Sequence, residues 1–194
     1  MNQTSSSSVA TGNVVHVLVR LVTPDTIAAT ATYAVVERFQ EKGIQSVRRA
    51  EYWKLTWTET PQEAEKLTHW LLETSAEFVH PSKHRWSVIV NEDCAVLLPA
   101  ADSGKTAGAI VVADSDRTPL DATRKGLIEL YPQCENLTGL ERATWWELTY
   151  ATDLSASELQ RHLKHLAETQ SRTEGLFAHP HYQETQILLP RDLG

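Results

Sequence analysis

Apolar and polar positions in this chain follow two rhythms: runs or alternations that suit strands, and a wider spacing that suits helices. Val14 to Val22 is almost continuously apolar, interrupted only by His16 and Arg20, and predicts a strand covered on both faces. Thr23-Pro24-Asp25 is a helix-start signal, because proline fits the first turn. Ile27, Ala31, Ala34, Val35 and Phe39 then recur at helical spacing, and Gly43 stands where a C-cap belongs. A strand region follows to Trp57. Thr60-Pro-Gln-Glu63 has capping-box spacing, and Ala64, Leu67 and Leu71 give the next helix its apolar stripe. His80-Pro81 ends that connection, and Trp86 to Val90 predicts a closing strand.

The same grammar then returns. Ala109 to Ala113 predicts a strand, and Thr118-Pro119 opens a helix carrying Leu120, Leu127, Ile128 and Tyr131, stopped by Pro132. Ser155-Ala-Ser-Glu158 repeats the capping box, ahead of a stripe at Leu159, Leu163 and Leu166. His179-Pro180 echoes His80-Pro81, and Ile187 to Leu189 closes the second series. The clearest repeat is Val47-Arg-Arg-Ala-Glu-Tyr-Trp-Lys-Leu-Thr-Trp57 against Leu140-Glu-Arg-Ala-Thr-Trp-Trp-Glu-Leu-Thr-Tyr150, an ungapped offset of 93 residues. On one face of each copy, apolar ends flank a polar middle, Arg49 and Glu51 in the first and Arg142 and Thr144 in the second. Such a stretch is one long bent strand or two strands around a bulge.

The pattern divides the chain into a polar, disordered tail at 1–12, a first unit at 13–91, a linker at 92–106 and a second unit at 107–194. The linker carries an apolar patch, Ala95 to Leu98, that can pack against the domain. Each unit is α+β, with two helices that cover one face of a small sheet. The other face carries Tyr52 and Trp145 at equivalent positions. Either they mark an interface between the units, packed face to face or edge to edge, or they lie on a wet surface.

Composition narrows the function. Hydrophobic residues make up 41% of the 194, and the formal charge is −7 with no basic block, which argues against nucleic acid. No apolar run reaches the roughly 20 residues that span a bilayer, and no leader pattern opens the chain. The expectation is a soluble cytoplasmic protein without a membrane partner. Cys94 and Cys134 form no metal pattern.

Candidate chemistry is sparse, and no catalytic residue, cofactor site or metal site is assigned. Gly104-Lys105-Thr106 echoes the end of a phosphate loop, but Pro99 stands where its first glycine belongs. Cys94 has no neighbour that would activate a thiol. His162 and His165 on one helix, with His179 and His181, could share a metal, although a surface cluster is the commoner case. His80 and His179 read best as extended residues before proline. Arg49 and Arg142 are matched charges in otherwise apolar strands. They either bind an anion or a partner's acidic groups, or form ion pairs with Glu51 or a neighbouring strand.

The run Gly43-Ile-Gln-Ser-Val-Arg-Arg-Ala-Glu-Tyr-Trp-Lys-Leu-Thr resembles the middle of PurS, the small subunit of phosphoribosylformylglycinamidine synthase. Pro119-Leu-Asp-Ala-Thr resembles the start of the first PurS helix, with Thr23-Pro24-Asp25 a weaker version. The chain departs from that pattern at Ala50 and Ala143, where PurS has glycine, and at His80 and His179, where it has asparagine. The resemblance implies two tandem ferredoxin-like units forming a pseudo-dimer, as in the duplicated PurS-like region of the long single-chain synthase. It further implies a non-catalytic scaffold in purine biosynthesis that bridges a glutaminase subunit and an ATP-using synthetase subunit. Those partners would handle ATP, Mg and glutamine, and this chain would hold no cofactor. Arg49, Arg142, Tyr52 and Trp145 are then the candidate interface residues, and a further homodimer is compatible with the reading. Two alternatives stand beside it. An ACT-like ligand-binding module would need a glycine-bearing loop after the first strand, which neither Thr23-Pro24-Asp25 nor Ser115-Asp116-Arg117 supplies. A dimeric α/β-barrel enzyme would need a cavity, which Trp53, Trp57 and Trp86 could line or could equally fill as core.

Overall fold

A computed structural model of the chain describes residues 12–99, 105–116, 118–170 and 175–191. In chain order the elements are β1 (Asn13–Leu21), α1 (Thr26–Tyr33), β2 (Ile44–Trp57), α2 (Pro61–Thr74), β3 (His84–Val90), β4 (Thr106–Asp114), α3 (Thr118–Leu130), β5 (Leu137–Tyr150), α4 (Ala156–Ala167) and β6 (Gln183–Leu188). The fold is α+β: the described residues form four α-helices and one antiparallel sheet of six strands in the order β3-β1-β2-β5-β4-β6. Strand–helix–strand–helix–strand occurs twice, and the two series share the sheet through β2 and β5. Of the expected 1–12 tail, all but Gly12 lies outside the described residues, as does Gly104 of the phosphate-loop echo.

Each central stretch is a single strand of 14 residues, and register shifts fall only near the ends of the β2–β5 ladder. Glu51 faces Thr144, its own counterpart in the repeat. From there the ladder runs outward in both directions, Trp53 opposite Arg142 and Arg49 opposite Trp146, then Leu55 opposite Leu140 and Val47 opposite Leu148. Equivalent bonds close both ends: Thr58 N–H donates to Asn136 O at 3.1 Å, and Ala151 N–H to Gly43 O at 2.8 Å.

All four helices lie on one face, and their cores are shared between the two series. One core joins Val15, Val17, Trp53, Leu55, Trp57 and α2 to Leu127 of α3 and Leu137 of β5. The other joins Ala31 and Val35 of the α1 segment and Val47 of β2 to Ile110, Leu148 and α4. Trp53 and Trp57 are buried in the core, as the filling alternative has it. The Ser155–Glu158 capping box is complete, and Leu159, Leu163 and Leu166 are fully buried beneath it. Gly108 lets α4 settle close to β4, since a Cβ there would lie 2.7 Å from Leu163.

Two expectations change. Ile27 is half exposed rather than buried, because α1 turns Ala28 and Ala31 inward. Gly43 does not cap that helix. The chain continues through a π-helical turn (Ala34–Arg38), and Gln40 supplies a left-handed residue ahead of it. Gly43, at φ +84°, instead swings the chain into β2.

Shared cores predict shared stability. Urea unfolding should show one cooperative transition by fluorescence and circular dichroism, and Trp53→Ala or Leu163→Ala, one in each core, should move that whole transition by about 2–5 kcal/mol. Two transitions, with each variant moving only one, would contradict the interlocked arrangement.

Candidate functional site

The face of the sheet opposite the helices carries His16, Leu18 and Arg20 of β1, and Arg48, Ala50, Tyr52 and Lys54 of β2. From β5 and β4 it carries Glu141, Ala143, Trp145, Glu147, Ala109 and Val111. Among the described residues no α-helix packs there. The segment after β3 does: Asp93 caps a short 3-10 turn (Cys94–Leu97), and Cys94, Ala95, Leu97 and Leu98 bury themselves against the sheet. The expected linker is thus structural over its first part. It covers the aromatic pair, with Trp145 fully buried, Tyr52 nearly so, and their rings 5.9 Å apart. The wet-surface alternative is excluded. The two rings meet across the β2–β5 junction, and the indole N–H of Trp145 has no acceptor among the described residues.

Two charge clusters flank this pair. At one end Glu147, 3% exposed, accepts from Arg20 Nη2 at 3.2 Å, with Arg48 at 3.9 Å. At the other end Lys54 Nζ meets Glu141 at 3.0 Å. Lys54 and Glu147 are repeat counterparts, as are Arg48 and Glu141, so the two ends carry the same cross-strand pairing with the signs exchanged.

Beside the second cluster lies a cavity of about 390 Å³, within the range of small-molecule sites. His16, Tyr52, Cys94, Val111 and Ala143 form its inner wall, and Lys54, Glu141 and Glu184 contribute charge. His16 Nδ1 and Tyr52 Oη are 2.5 Å apart, and Tyr52 also hydrogen-bonds Cys94. Burial, then the Lys54 ammonium, holds the His16 imidazole below its ordinary value. The imidazole thus shares one hydrogen bond with the Tyr52 hydroxyl at Nδ1 and another with the backbone of Glu92. Burial also raises the Tyr52 phenol and the Cys94 thiol, so both stay protonated near neutrality. The site is a hydrogen-bonding, partly apolar recess without an activated nucleophile among these three groups.

The remaining candidates disperse. Arg49 Nε binds Asp25 Oδ2 at 2.9 Å, and Arg142 Nη2 binds Glu51 Oε1 at 2.6 Å while its guanidinium lies over Trp53. Both arginines are therefore engaged within the chain. His162 bonds Glu41 and so ties α4 to the segment after α1. His80 and His179 sit in matching turns, each accepting from two later backbone N–H groups. Among the described residues no three His, Cys, Asp or Glu side chains gather as a metal site, and no helix is long and apolar enough to cross a membrane. A second, apolar cleft of about 380 Å³ lies between α1 and Phe177, floored by Trp146.

Sequence reading missed the grouping of His16, Lys54 and Glu141. Its traces were present: a histidine inside an apolar strand, and charges exchanged between repeat copies. Family models, curated proteins and solved structures yield no match to the chain.

His16 gives a pH test. Its folded pKa lies below the unfolded 6.5, so between the two values the unfolded chain binds the extra proton. The contribution of neutral His16 is complete above 6.5 and lost as pH falls through that window. Between about pH 7 and pH 5 the wild-type Tm should fall further than that of His16→Gln, and equal falls would contradict the assignment. Tyr52→Phe, which leaves Nδ1 without its hydroxyl partner, should cost about 1–3 kcal/mol in urea unfolding.

Proposed function

We propose that this chain is a fused pseudo-dimer of two PurS-type, ferredoxin-like units that serves as a non-catalytic scaffold. In this reading it bridges the glutaminase and ATP-using synthetase subunits of phosphoribosylformylglycinamidine synthase in the cytoplasm. The observation that carries the proposal is the β2–β5 junction, where Glu51 faces its own repeat counterpart and equivalent bonds close both ends. A pair of identical subunits related by a two-fold axis has that arrangement. The exchanged charges support it further. In an identical pair both ends would carry one sign pattern, whereas here both members of a pair have changed together. At the axis an identical pair would set Glu51 against itself, and Thr144 removes that repulsion. Fusion into one chain permits such asymmetry.

Tyr52 and Trp145 are spent on the junction, so partner contact falls to exposed residues. Ile27, Tyr33 and Val36 place apolar surface along α1 and the turn after it, beside the cleft over Trp146. We assign this surface to a partner subunit.

The test is co-elution of the purified chain with a glutaminase and a synthetase subunit, with glutamine and ADP present. A complex containing all three, weakened at least about tenfold by Tyr33→Asp with unchanged circular dichroism, is the expected result. Elution of the chain alone under every condition would overturn the scaffold reading.

A further inference from the structure

The two halves of the open face are repeats, and among the described residues the segment after β3 covers them unequally. Arg20 Nη2 reaches Leu97 O at 3.5 Å, which places the segment over the Arg20–Glu147 end. Leu18, Ala50 and Trp145 belong to the apolar cluster that Ala95, Leu97 and Leu98 complete, and none of the three lines the cavity. Their repeat counterparts Val111, Ala143 and Tyr52 belong to the same cluster and also line the cavity. The cavity therefore lies over the repeat counterparts of the surface that Ala95, Leu97 and Leu98 cover. The covered half acts as a template, and it seats short aliphatic side chains on such a surface.

Charge distinguishes the open copy from the covered one. Five carboxylates line the cavity, Glu92, Asp93, Asp114, Glu141 and Glu184. Lys54 and Arg142 of the lining oppose them, held by Glu141 and Glu51 respectively, and Arg191 pairs with Glu92 at 3.6 Å. His16 adds no positive charge near neutrality because it is kept deprotonated. The recess thus combines an apolar floor, a buried His16–Tyr52 pair and an acidic rim.

We propose that this cavity is a binding site for a small organic cation, an amine on a short apolar body. The body rests on Val111, Ala113 and Ala143, and the ammonium group faces Glu184 and Asp114 at the β4–β6 edge. The pairing follows from burying apolar surface while setting opposite charges together at a solvated rim. This site does not depend on the scaffold role, since a free-standing module with this fold would carry it equally.

Isothermal titration of the intact chain at low salt tests the proposal, with phenethylamine as probe and 3-phenylpropionate as its charge-reversed control. The amine should bind at one site, at least tenfold more tightly than the carboxylate. Glu184→Gln, a change at an exposed position, should weaken the amine roughly two- to fivefold. Ala113→Phe, which fills the floor, should weaken it tenfold or more. Failure of the amine to bind at about 10 mM, equal binding of amine and carboxylate, or undiminished binding to Ala113→Phe would each overturn it. Should Ala113→Phe not fold, unchanged affinity in Glu184→Gln would do the same.

Discussion

The pairing of β2 with β5 is the constraint on which everything else rests. Without it each series is three strands with a long aromatic strand at its edge, the kind of edge that invites aggregation. With it the two edges satisfy each other along nearly their whole length. The junction also brings Leu127 of α3 into one core with Trp53, and the α1 segment into one core with Leu148, so neither core closes with one series alone. Ion pairs and hydrogen bonds follow the same line. Arg142 with Glu51, Lys54 with Glu141, Arg20 with Glu147 and His162 with Glu41 all cross between the series.

Much of this was legible in the sequence, for physical reasons. Periodicity and caps are local, so α2, α4 and their stripes follow directly from Thr60, Ser155 and the leucines behind them. The repeat announced the paired strands because strand faces are read two residues apart. What the sequence left open was non-local. Nothing near Arg49 shows that it would meet Asp25, or that Arg142 would meet Glu51. The π-helical turn hid the end of the first helix, since its spacing departs from 3.6 residues per turn. The cavity was least legible, because His16, Tyr52, Cys94 and Glu141 are far apart in the chain and meet only when β1, β2, β5 and the connecting segment assemble.

Duplication explains the open face as well. The helices repeat with the strands, and both copies of the helical face are covered. Among the described residues, the segment after β3 covers the opposite face unevenly. The aromatic pair at the junction is buried, the Arg20–Glu147 end is closed, and the Lys54–Glu141 end stands beside a recess. The scaffold and the ligand site we propose both rest on this geometry, the first on its symmetry and the second on the break in it.

The central claim is that the two series are joined with Glu51 opposite Thr144, and a designed cross-link tests it most directly. Opposed residues on antiparallel strands have Cα atoms about 4.5–5.5 Å apart, within disulfide reach. In the double variant Glu51→Cys, Thr144→Cys, mild oxidation and a non-reducing peptide map should yield one intramolecular disulfide between those positions in monomeric protein. Free thiols at both positions, or cross-links only between chains, would contradict the junction and the fused pseudo-dimer built on it.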